Sequence, residues 1–465
     1  MMNSRFGSLF LQLSPVEKRS FSHFIASPFF NQQDILEQLW EYLSSFYEQH
    51  EVLPEKVYLF GKLYQNKAYN DQQMRLLISR LYQKLLAYLA YEEAVSSAAQ
   101  MKLYEAQALR KKQLDKHFQR SLAQAQSKLE EEGYRNAEYW QFNFQLQLEG
   151  SRNVSKTQYS GQEALQSLSN TLDLSYFTAK LRHICLLLTH QKVYQSEFDI
   201  GMLDEILNYI SSKELLQEPA IACYYYYYHT LIEPENGEHF QHFKRSLFEH
   251  SQQFPQEEIR DLFLLAINYC VKKGNSGSQA FIHEMLDLYK AGLATDVFLD
   301  QGELSHFTFH NIATAGLKTK EYKWVGTFIE GYKNRLPKQH RESSYSFNQA
   351  RLAYAQGQYE TALPLLQKAN YRDLLLNLAA KTLLLKIYYE LDEFDLLNAH
   401  LDAMKNFIRR KAVIGYHRTN YLSIVRFTKK LVNSNLYDRE RRKSLREQIQ
   451  AAEVLTEKEW LLEQL

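Results

Sequence analysis

Apolar side chains recur at helical spacing along almost the whole chain, and this period limits the fold more than any other feature. One segment places them on a single stripe at Ile35, Leu36, Leu39, Leu43 and Phe46. A later segment repeats the pattern at Met74, Leu77, Ile78, Leu81, Leu85 and Leu89. Spacings of three and four residues mark one helix face. Because only 16 glycines and 8 prolines interrupt 465 residues, the sequence predicts an all-α protein.

Helix start and stop signals give the predicted organisation of the chain. The first clear start is Ser14-Pro15-Val16-Glu17, where a hydroxyl cap precedes proline and a carboxylate follows three residues later. A helical hairpin is predicted further on, broken near Arg110-Lys111-Lys112. Short polar residues make Ser151–Gly161 the best linker candidate. Later turns are expected at Asn236-Gly237, Gly274-Asn275, Gly302 and Gly357.

These signals predict five segments. They are an N-terminal helical subdomain at 1–95, a helical hairpin with a connecting helix at 96–150, degenerate helical repeats at 151–300, clearer repeats at 301–410, and basic helices with a cap at 411–465.

Charge and cysteine content indicate a compartment. The formal net charge is +1, so no global field attracts nucleic acid or an anionic membrane. Cys185, Cys223 and Cys270 each lie in an apolar helical pattern, which predicts buried free thiols in a reducing compartment. The apolar patch near the N-terminus is too short for a secretion signal, and no run has the length of a membrane helix. We therefore expect a cytoplasmic protein.

The C-terminal half repeats itself. One unit reads Ala350-x-x-x-Tyr354-x-x-Gly357-x-Tyr359-x-x-Ala362-x-x-x-Leu366-x-x-Ala369. The next reads Leu385-x-x-x-Tyr389-x-x-Asp392-x-Phe394-x-x-Leu397-x-x-x-Leu401-x-x-Met404. The preceding one reads Ala313-x-x-x-Leu317-x-x-Lys320-x-Tyr322-x-x-Val325-x-x-x-Ile329-x-x-Tyr332. Each unit predicts a helix, a tight turn, an aromatic residue and a second helix.

These units resemble the tetratricopeptide repeat, whose period is about 34 residues. The match is best over Ser343–Asn370, although the large aromatic of the family is replaced by Ser346 and the closing proline is absent from all three units. The whole chain also resembles uncharacterised bacterial helical-repeat proteins that share its Phe-rich opening around Phe21–Asn31. The resemblance implies a superhelix of stacked helix pairs, the 301–410 repeats being tetratricopeptide-like. It brings no activity with it.

In tetratricopeptide proteins the inner helices line a groove that holds a peptide or a partner helix. Carrying that register over gives the candidate groove residues His310, Thr314, Phe347, Arg351, Tyr354, Thr382, Lys386 and Tyr389. Arginine and tyrosine suit such a surface because they offer a large contact area with polar tips. Packing between repeats is the alternative reading of the same positions.

A basic segment supports a different hypothesis. Between Lys405 and Arg446 there are thirteen Lys and Arg but two Asp and Glu. On one predicted helix the basic residues Arg418, Arg426, Lys429 and Lys430 share a face. Since cationic side chains neutralise nucleic-acid phosphates, binding of RNA through this face is the alternative function. The simpler interpretation is that this basic face is solvated, or that it pairs with acidic residues elsewhere in the chain.

Histidines and tyrosines supply weaker candidates. Glu303, His306 and His310 have the spacing of one helix face, but such a set draws on a single element and predicts no metal site. His239 and His242 lack the glutamate of the metalloprotease motif, which predicts a surface turn of helix. The run Tyr224–Tyr228 predicts a helix packed between others, with an aromatic ligand pocket as the alternative.

Catalytic motifs are absent from the sequence. It contains no phosphate-binding loop, dinucleotide fingerprint, nucleophile elbow or Cys-x-x-Cys pair. We therefore expect no catalytic residues, no metal and no cofactor. The sequence predicts a non-enzymatic scaffold or adaptor that binds a protein or peptide partner. A peptide-sensing regulator would carry a helix-turn-helix near its start, and Ser14–Leu89 shows no convincing recognition helix.

Overall fold

A computed structural model describes residues 4–65, 67–152, 162–194, 196–368, 371, 373–410, 415–433 and 439–465. Within these ranges the chain forms 23 α-helices and one pair of two-residue strands. The all-α prediction is therefore confirmed. None of the helices in these ranges is both long enough and apolar enough to cross a membrane. The chain divides into two compact units, Met1–Glu214 and Leu215–Leu465.

The first unit contains ten helices in its described ranges. They are α1 (Arg5–Gln12), α2 (Pro15–Ala26), α3 (Asp34–His50), α4 (Lys56–Leu63), α5 (Asp71–Ser96), α6 (Ala98–Lys111), α7 (Asp115–Glu132), α8 (Ala137–Arg152), α9 (Gln162–Tyr194) and α10 (Leu203–Ser212).

The predicted start of α2 is confirmed atom by atom. The Ser14 hydroxyl accepts a hydrogen bond from the Glu17 amide at 3.2 Å, and the Glu17 carboxylate accepts one from the Ser14 amide at 2.7 Å. Helix α1 precedes it and was not predicted, because its eight residues show one short apolar patch. Phe6 and Phe10 of α1 are buried, so this short helix is held by packing.

Aromatic residues fill the core beneath α1–α5. Phe21 meets Trp40 edge-on at 4.6 Å and Tyr88 at 5.5 Å. The Trp40 indole N–H donates to the Ser22 hydroxyl at 2.8 Å, which satisfies its one polar atom. Buried apolar residues between Phe6 and Tyr88 thus form one hydrophobic cluster.

The predicted break in the helical hairpin lies between α6 and α7, where Gln113 has a left-handed φ of 59°. The buried Glu149 carboxylate of α8 pairs with Arg110 and with Arg152. Residues 151 and 152 end α8, and the rest of the predicted linker, 153–161, lies outside the described residues.

The second unit contains thirteen helices in its described ranges. They are α11 (Pro219–Ile232), α12 (Gly237–His250), α13 (Gln256–Asn275), α14 (Gln279–Ala294), α15 (His306–Lys318), α16 (Tyr322–Tyr332), α17 (Lys338–Ala355), α18 (Tyr359–Lys368), α19 (Leu374–Glu390), α20 (Phe394–Arg410), α21 (Gly415–Val432), α22 (Arg439–Ala451) and α23 (Lys458–Glu463).

The three aligned units form helix pairs α15/α16, α17/α18 and α19/α20, each with the same turn. Lys320, Gly357 and Asp392 occupy the equivalent position, with φ of 60°, 74° and 57°. One residue later, the backbone amides of Glu321, Gln358 and Glu393 donate to carbonyls five residues back, at 3.0, 2.9 and 2.9 Å. Such bonds satisfy the last carbonyls of the first helix while the chain reverses.

Two short strands interrupt the helices before α15. β1 (Leu299–Asp300) pairs antiparallel with β2 (Glu303–Leu304), and Gly302 in the turn has φ of 82°. Glu303 therefore lies on a strand, so the expectation that it shares a helix face with His306 and His310 was wrong. The glycine breaks the helical pattern one residue before Glu303, and α15 begins only at His306.

The tyrosine run and the cysteines lie in packed positions. Tyr224, Tyr227 and Tyr228 are buried in α11, and the Tyr224 hydroxyl donates to buried Glu258 at 2.6 Å. All three cysteines are free and buried, as expected. Burial raises the pKa of each thiol, so all three stay protonated at neutral pH.

Two glycines test how tightly the first repeat pair packs. A methyl group on Gly316 would overlap the Cγ2 atom of Val325 on the facing helix, whereas Gly331 has open space around it. Gly316→Ala should lower the unfolding free energy by about 1–3 kcal/mol through overpacking. Gly331→Ala should leave it equal or raise it by up to about 1 kcal/mol, since alanine favours a helix. Urea denaturation followed by circular dichroism measures both; equal effects would contradict the tight contact.

Candidate functional site

A pocket of about 550 Å³ opens on the second unit. Its walls come from the first helices of the three repeat pairs, α15, α17 and α19, together with Tyr421 of α21 and Glu457 before α23. Seven of the eight predicted groove residues line it, namely His310, Thr314, Phe347, Arg351, Tyr354, Thr382 and Lys386. The repeat register therefore brings these side chains together around one cavity.

The eighth residue, Tyr389, does not line the pocket. Its ring packs edge-on against Trp460 of α23 at 5.4 Å and against Phe394 of α20 at 6.0 Å. Tyr389 belongs to the apolar cluster that joins α19 to the C-terminal helices. Tyr389 therefore lies on the same helix as Thr382 and Lys386, but the C-terminal segment packs over its ring.

Arg351 of α17 lines the pocket. Its Nη1 donates to the Thr314 hydroxyl at 2.9 Å and to the Asn348 side-chain oxygen at 3.3 Å. The guanidinium stands 5.5 Å from the centre of the Phe347 ring. Both hydrogen-bond acceptors are neutral, so they orient the guanidinium without cancelling its charge.

No carboxylate in the described ranges forms an ion pair with Arg351. The two acids that line the pocket bind elsewhere: Asp373 caps α19 by accepting the Leu376 amide at 2.7 Å, and Glu457 pairs with Lys386. Burial lowers the pKa of Arg351 to about 10, an effect that the charge of Glu457 partly offsets. The guanidinium is therefore a partly desolvated cation at neutral pH.

Asn348 sets the protonation of its neighbour. The Asn348 side-chain oxygen accepts a hydrogen bond from Arg351, which identifies the other side-chain atom as the amide nitrogen. This nitrogen donates to the Ser344 carbonyl and to His310 Nδ1, both at 2.8 Å. A nitrogen that accepts a hydrogen bond carries no proton. His310 is thus neutral with its proton on Nε2, and burial, with the charge of Arg351, lowers its pKa to about 4.

The Nε2–H donor of His310 is also buried, and it has no hydrogen-bond partner in the part of the chain that the structure describes. The Arg351 guanidinium and the buried Nε2–H of His310 are therefore two hydrogen-bond donor groups with few acceptors among the described residues. Buried donors without partners are costly, at about 1–3 kcal/mol each.

Lys386 is the second cation of the pocket, and it differs from Arg351 in having an ionic partner. Its Nζ lies 2.7 Å from the Glu457 carboxylate and 4.7 Å from the centre of the Tyr354 ring. Glu457 has a left-handed φ of 53° and immediately precedes α23. The C-terminal segment therefore neutralises Lys386 and leaves Arg351 as a pocket cation without an ion pair among the described residues.

The carboxylate of Glu390 also holds the C-terminal segment that contains Glu457 and α23. One Glu390 oxygen accepts from the Tyr354 hydroxyl at 3.2 Å, from the Trp460 indole at 2.9 Å and from the Gln464 amide at 3.3 Å. Burial, followed by the charge of Glu390, raises the pKa of Tyr354, so this phenol stays protonated. Tyr354 and α23 are thus held in one hydrogen-bonded group.

The rim of the pocket is apolar and exposed. Phe307 of α15 is 63% exposed and Leu375 of α19 is 42% exposed, although both are large hydrophobic residues. A donor-rich wall with an apolar rim matches a ligand that carries an acceptor or a negative charge beside apolar groups.

The histidines at the other edge of the pocket do not form the metal set considered from the sequence. His306 stacks on His340 of α17, with ring centres 3.9 Å apart, and its pKa is lowered first by burial and then by His340. In the ranges that the structure describes, Glu303 joins no metal-ligand cluster with His306 and His310.

The basic residues of α21 are partly engaged. Lys429 pairs with Asp402 of α20 at 2.5 Å, and Lys430 donates to the Gln448 side chain at 2.6 Å. The guanidinium of Arg426 lies 4.6 Å from the centre of the Phe427 ring, and Arg418 is exposed. Residues 411–414 and 434–438 of the basic segment lie outside the described residues.

Several polar residues of the site, among them Asn348, Asp373 and Glu457, were not predicted from the sequence. Asn348 lies one helical turn before Arg351, so the helix period points to it. Glu457 is 71 residues from its partner Lys386, and no local pattern indicates so distant a contact.

Comparison with known proteins returns no match: no family model, no curated protein and no solved structure is similar to this chain. The site must therefore be interpreted from its own chemistry.

The unpaired guanidinium predicts an unusual stability change. Arg351→Met should leave the unfolding free energy unchanged or higher, because the desolvation of the cation is removed while an apolar stem of similar length remains. Leu385→Ala, a buried position on α19, should lower it by about 2–5 kcal/mol in the same urea titration. A loss above about 1 kcal/mol for Arg351→Met, the usual net value of a hydrogen bond, would show that Arg351 is structural.

Proposed function

We propose that this protein is a non-enzymatic scaffold or adaptor that binds a peptide or helix of a protein partner in the pocket of its second unit. The observation that carries the proposal is the cation Arg351, held by two neutral partners and paired with no described carboxylate. A partly desolvated charge of this kind reduces stability unless a ligand completes it. A loss of stability of this kind is expected at a binding site, where the ligand supplies the missing partner.

We further propose that the repeat pairs stack as a tetratricopeptide-like superhelix. The equal turns at Lys320, Gly357 and Asp392 support this, because equal turns give equal helix pairs. Such pairs expose apolar residues on both sides and bury them only by stacking. Buried, protonated thiols support a reducing compartment, and we place the protein in the cytoplasm.

The chemistry of the pocket narrows the ligand. Arg351 offers N–H donors, so the matching group on the partner is an acceptor with negative charge, an Asp or Glu side chain. The exposed rim residues Phe307 and Leu375 suit apolar side chains on either side of that acid. A volume of about 550 Å³ lies within the range of roughly 300–1,000 Å³ typical of ligand pockets.

Binding of RNA through α21 is the alternative. It has weaker support because Lys429 and Lys430 already have partners. An affinity for mixed-sequence RNA that falls steeply with salt, and that is lost on charge reversal of Arg418 and Arg426, would favour it.

A displayed library of random peptides, selected on the full chain, tests the proposal. The selected peptides should carry an Asp or Glu between apolar residues. Changing that acid to its amide should weaken binding, measured by fluorescence anisotropy, on the order of 10- to 100-fold, because hydrogen bonds between charged groups contribute about 1.5–3 kcal/mol. Arg351→Met should cause a similar loss, and the two changes together should add little.

Arg409→Met is the matched control, since Arg409 is an exposed arginine at the end of α20, outside the pocket lining. It should bind the selected peptide like the original chain. If the amide peptide loses as much affinity on the Arg351→Met chain as on the original, Arg351 is not the anchor. If no peptide is selected, the scaffold proposal itself is wrong.

A further inference from the structure

The turn between α11 and α12 brings two histidines and a glutamate together, well away in sequence from the pocket residues. His229 and Glu233 are one turn apart at the end of α11, and His239 lies in the first turn of α12. Their nearest ligand atoms all lie within 4.8 Å of one another. Glu233 Oε1 is 3.7 Å from His229 Nδ1, and Glu233 Oε2 is 3.2 Å from His239 Nε2.

The backbone fixes this arrangement. The Glu233 amide donates to the His229 carbonyl at 2.8 Å, and the Asn236 amide donates to the Glu233 carbonyl at 3.0 Å. The Asn236 side chain then caps α12 by accepting the Glu238 amide at 3.2 Å. The backbone that carries the three side chains is therefore a hydrogen-bonded turn, which holds them near one another before any ligand binds.

His229 is the least satisfied member. Its side chain is 18% exposed, yet neither ring nitrogen has a hydrogen-bond partner among the residues that the structure describes. The rings of Tyr225 and Tyr228 pack beside it, at 4.5 and 5.0 Å between centres. A buried imidazole without partners is costly, and a metal ion is one ligand that would satisfy it.

The charged groups at the turn leave Glu233 open to a cation. Its side chain is 52% exposed, and its Oε2 atom faces His239 Nε2, a nitrogen that must be deprotonated to bind a metal. The nearby cation Lys273 pairs with Glu235 at 2.8 Å and does not compete for Glu233. Neutral imidazole and ionised carboxylate are the states that bind metal.

We infer that His229, Glu233 and His239 form a binding site for one divalent transition-metal ion of the zinc class, which joins the end of α11 to the start of α12. Ligand atoms around tetrahedral zinc are separated by roughly 3.3 Å, from bond lengths of about 2.0–2.2 Å. The two distances, each to a different oxygen of Glu233, are close to that value. The ligand nitrogens of His229 and His239 lie within 4.8 Å of each other and must move closer to complete the set.

Ligand chemistry defines the ion further. Two imidazoles and one carboxylate suit zinc, cobalt, nickel or copper, whereas magnesium and calcium prefer sites built from oxygen. Three protein ligands leave one position for water. The sequence predicted a surface turn of helix for both His239 and His242; in the structure His242 stacks on Tyr226 at 4.7 Å and takes no part in the cluster.

The test is calorimetric titration of the tag-free, chelator-treated full chain with zinc chloride, and with cobalt chloride followed by visible absorption. One ion should bind per chain, with cobalt showing the bands of four-coordinate geometry. His239→Gln should weaken binding more than about 100-fold, beyond the 10- to 100-fold loss usual for groups outside the ligand set. His242→Gln, on the same helix, should bind like the original chain.

Fold integrity is checked by circular dichroism, and Glu233→Gln provides a second variant at an exposed position. Zinc should raise the melting temperature of the original chain and of His242→Gln, but not of the two ligand variants. Absence of zinc and cobalt binding at one equivalent would overturn the inference. Equal binding by His239→Gln and His242→Gln would also overturn it, because the ion would then lie elsewhere.

Discussion

The repeated turn within each helix pair is the constraint on which the second unit depends. At Lys320 and Asp392 it places a non-glycine residue in the left-handed region, which costs roughly 1–2 kcal/mol. Two features offset that cost: the bonded carbonyls at the end of the first helix, and the apolar burial that follows when the second helix folds back. Because three successive turns are alike, α15, α17 and α19 line the same cavity.

In the cavity lined by α15, α17 and α19, Arg351 is oriented by hydrogen bonds but its charge is not neutralised. Thr314 and Asn348 hold its geometry, and Asn348 also makes His310 neutral by donating to Nδ1. One amide thus couples the cation to the imidazole. The C-terminal segment supplies Glu457, but that carboxylate pairs with Lys386. The result is a wall with fixed donors and too few acceptors, a chemistry that packing between repeats does not require.

Helices were predictable here because their signals are local. The Ser14 capping box, the turn at Gly357 and the register of Arg351 follow from spacings within a few residues. Two of the errors arose where contacts between distant parts of the sequence determine the structure. Helix α1 is held by the aromatic core, and Tyr389 is covered by Trp460. The scaffold function, the superhelix and the absence of catalysis stay predictions, because no comparison tests them.

Both polar sites of the second unit follow one physical rule. Each contains a buried group without a hydrogen-bond partner among the described residues, His310 Nε2 in the pocket and His229 in the hairpin turn. Such groups lower stability in the free protein, so any ligand that satisfies them binds the folded chain preferentially and stabilises it. An anion supplies acceptors to the donors of the pocket, whereas a cation can bind the unpartnered nitrogen of His229 together with the neighbouring Glu233 carboxylate. The two ligands therefore differ in charge although the reason for binding is the same.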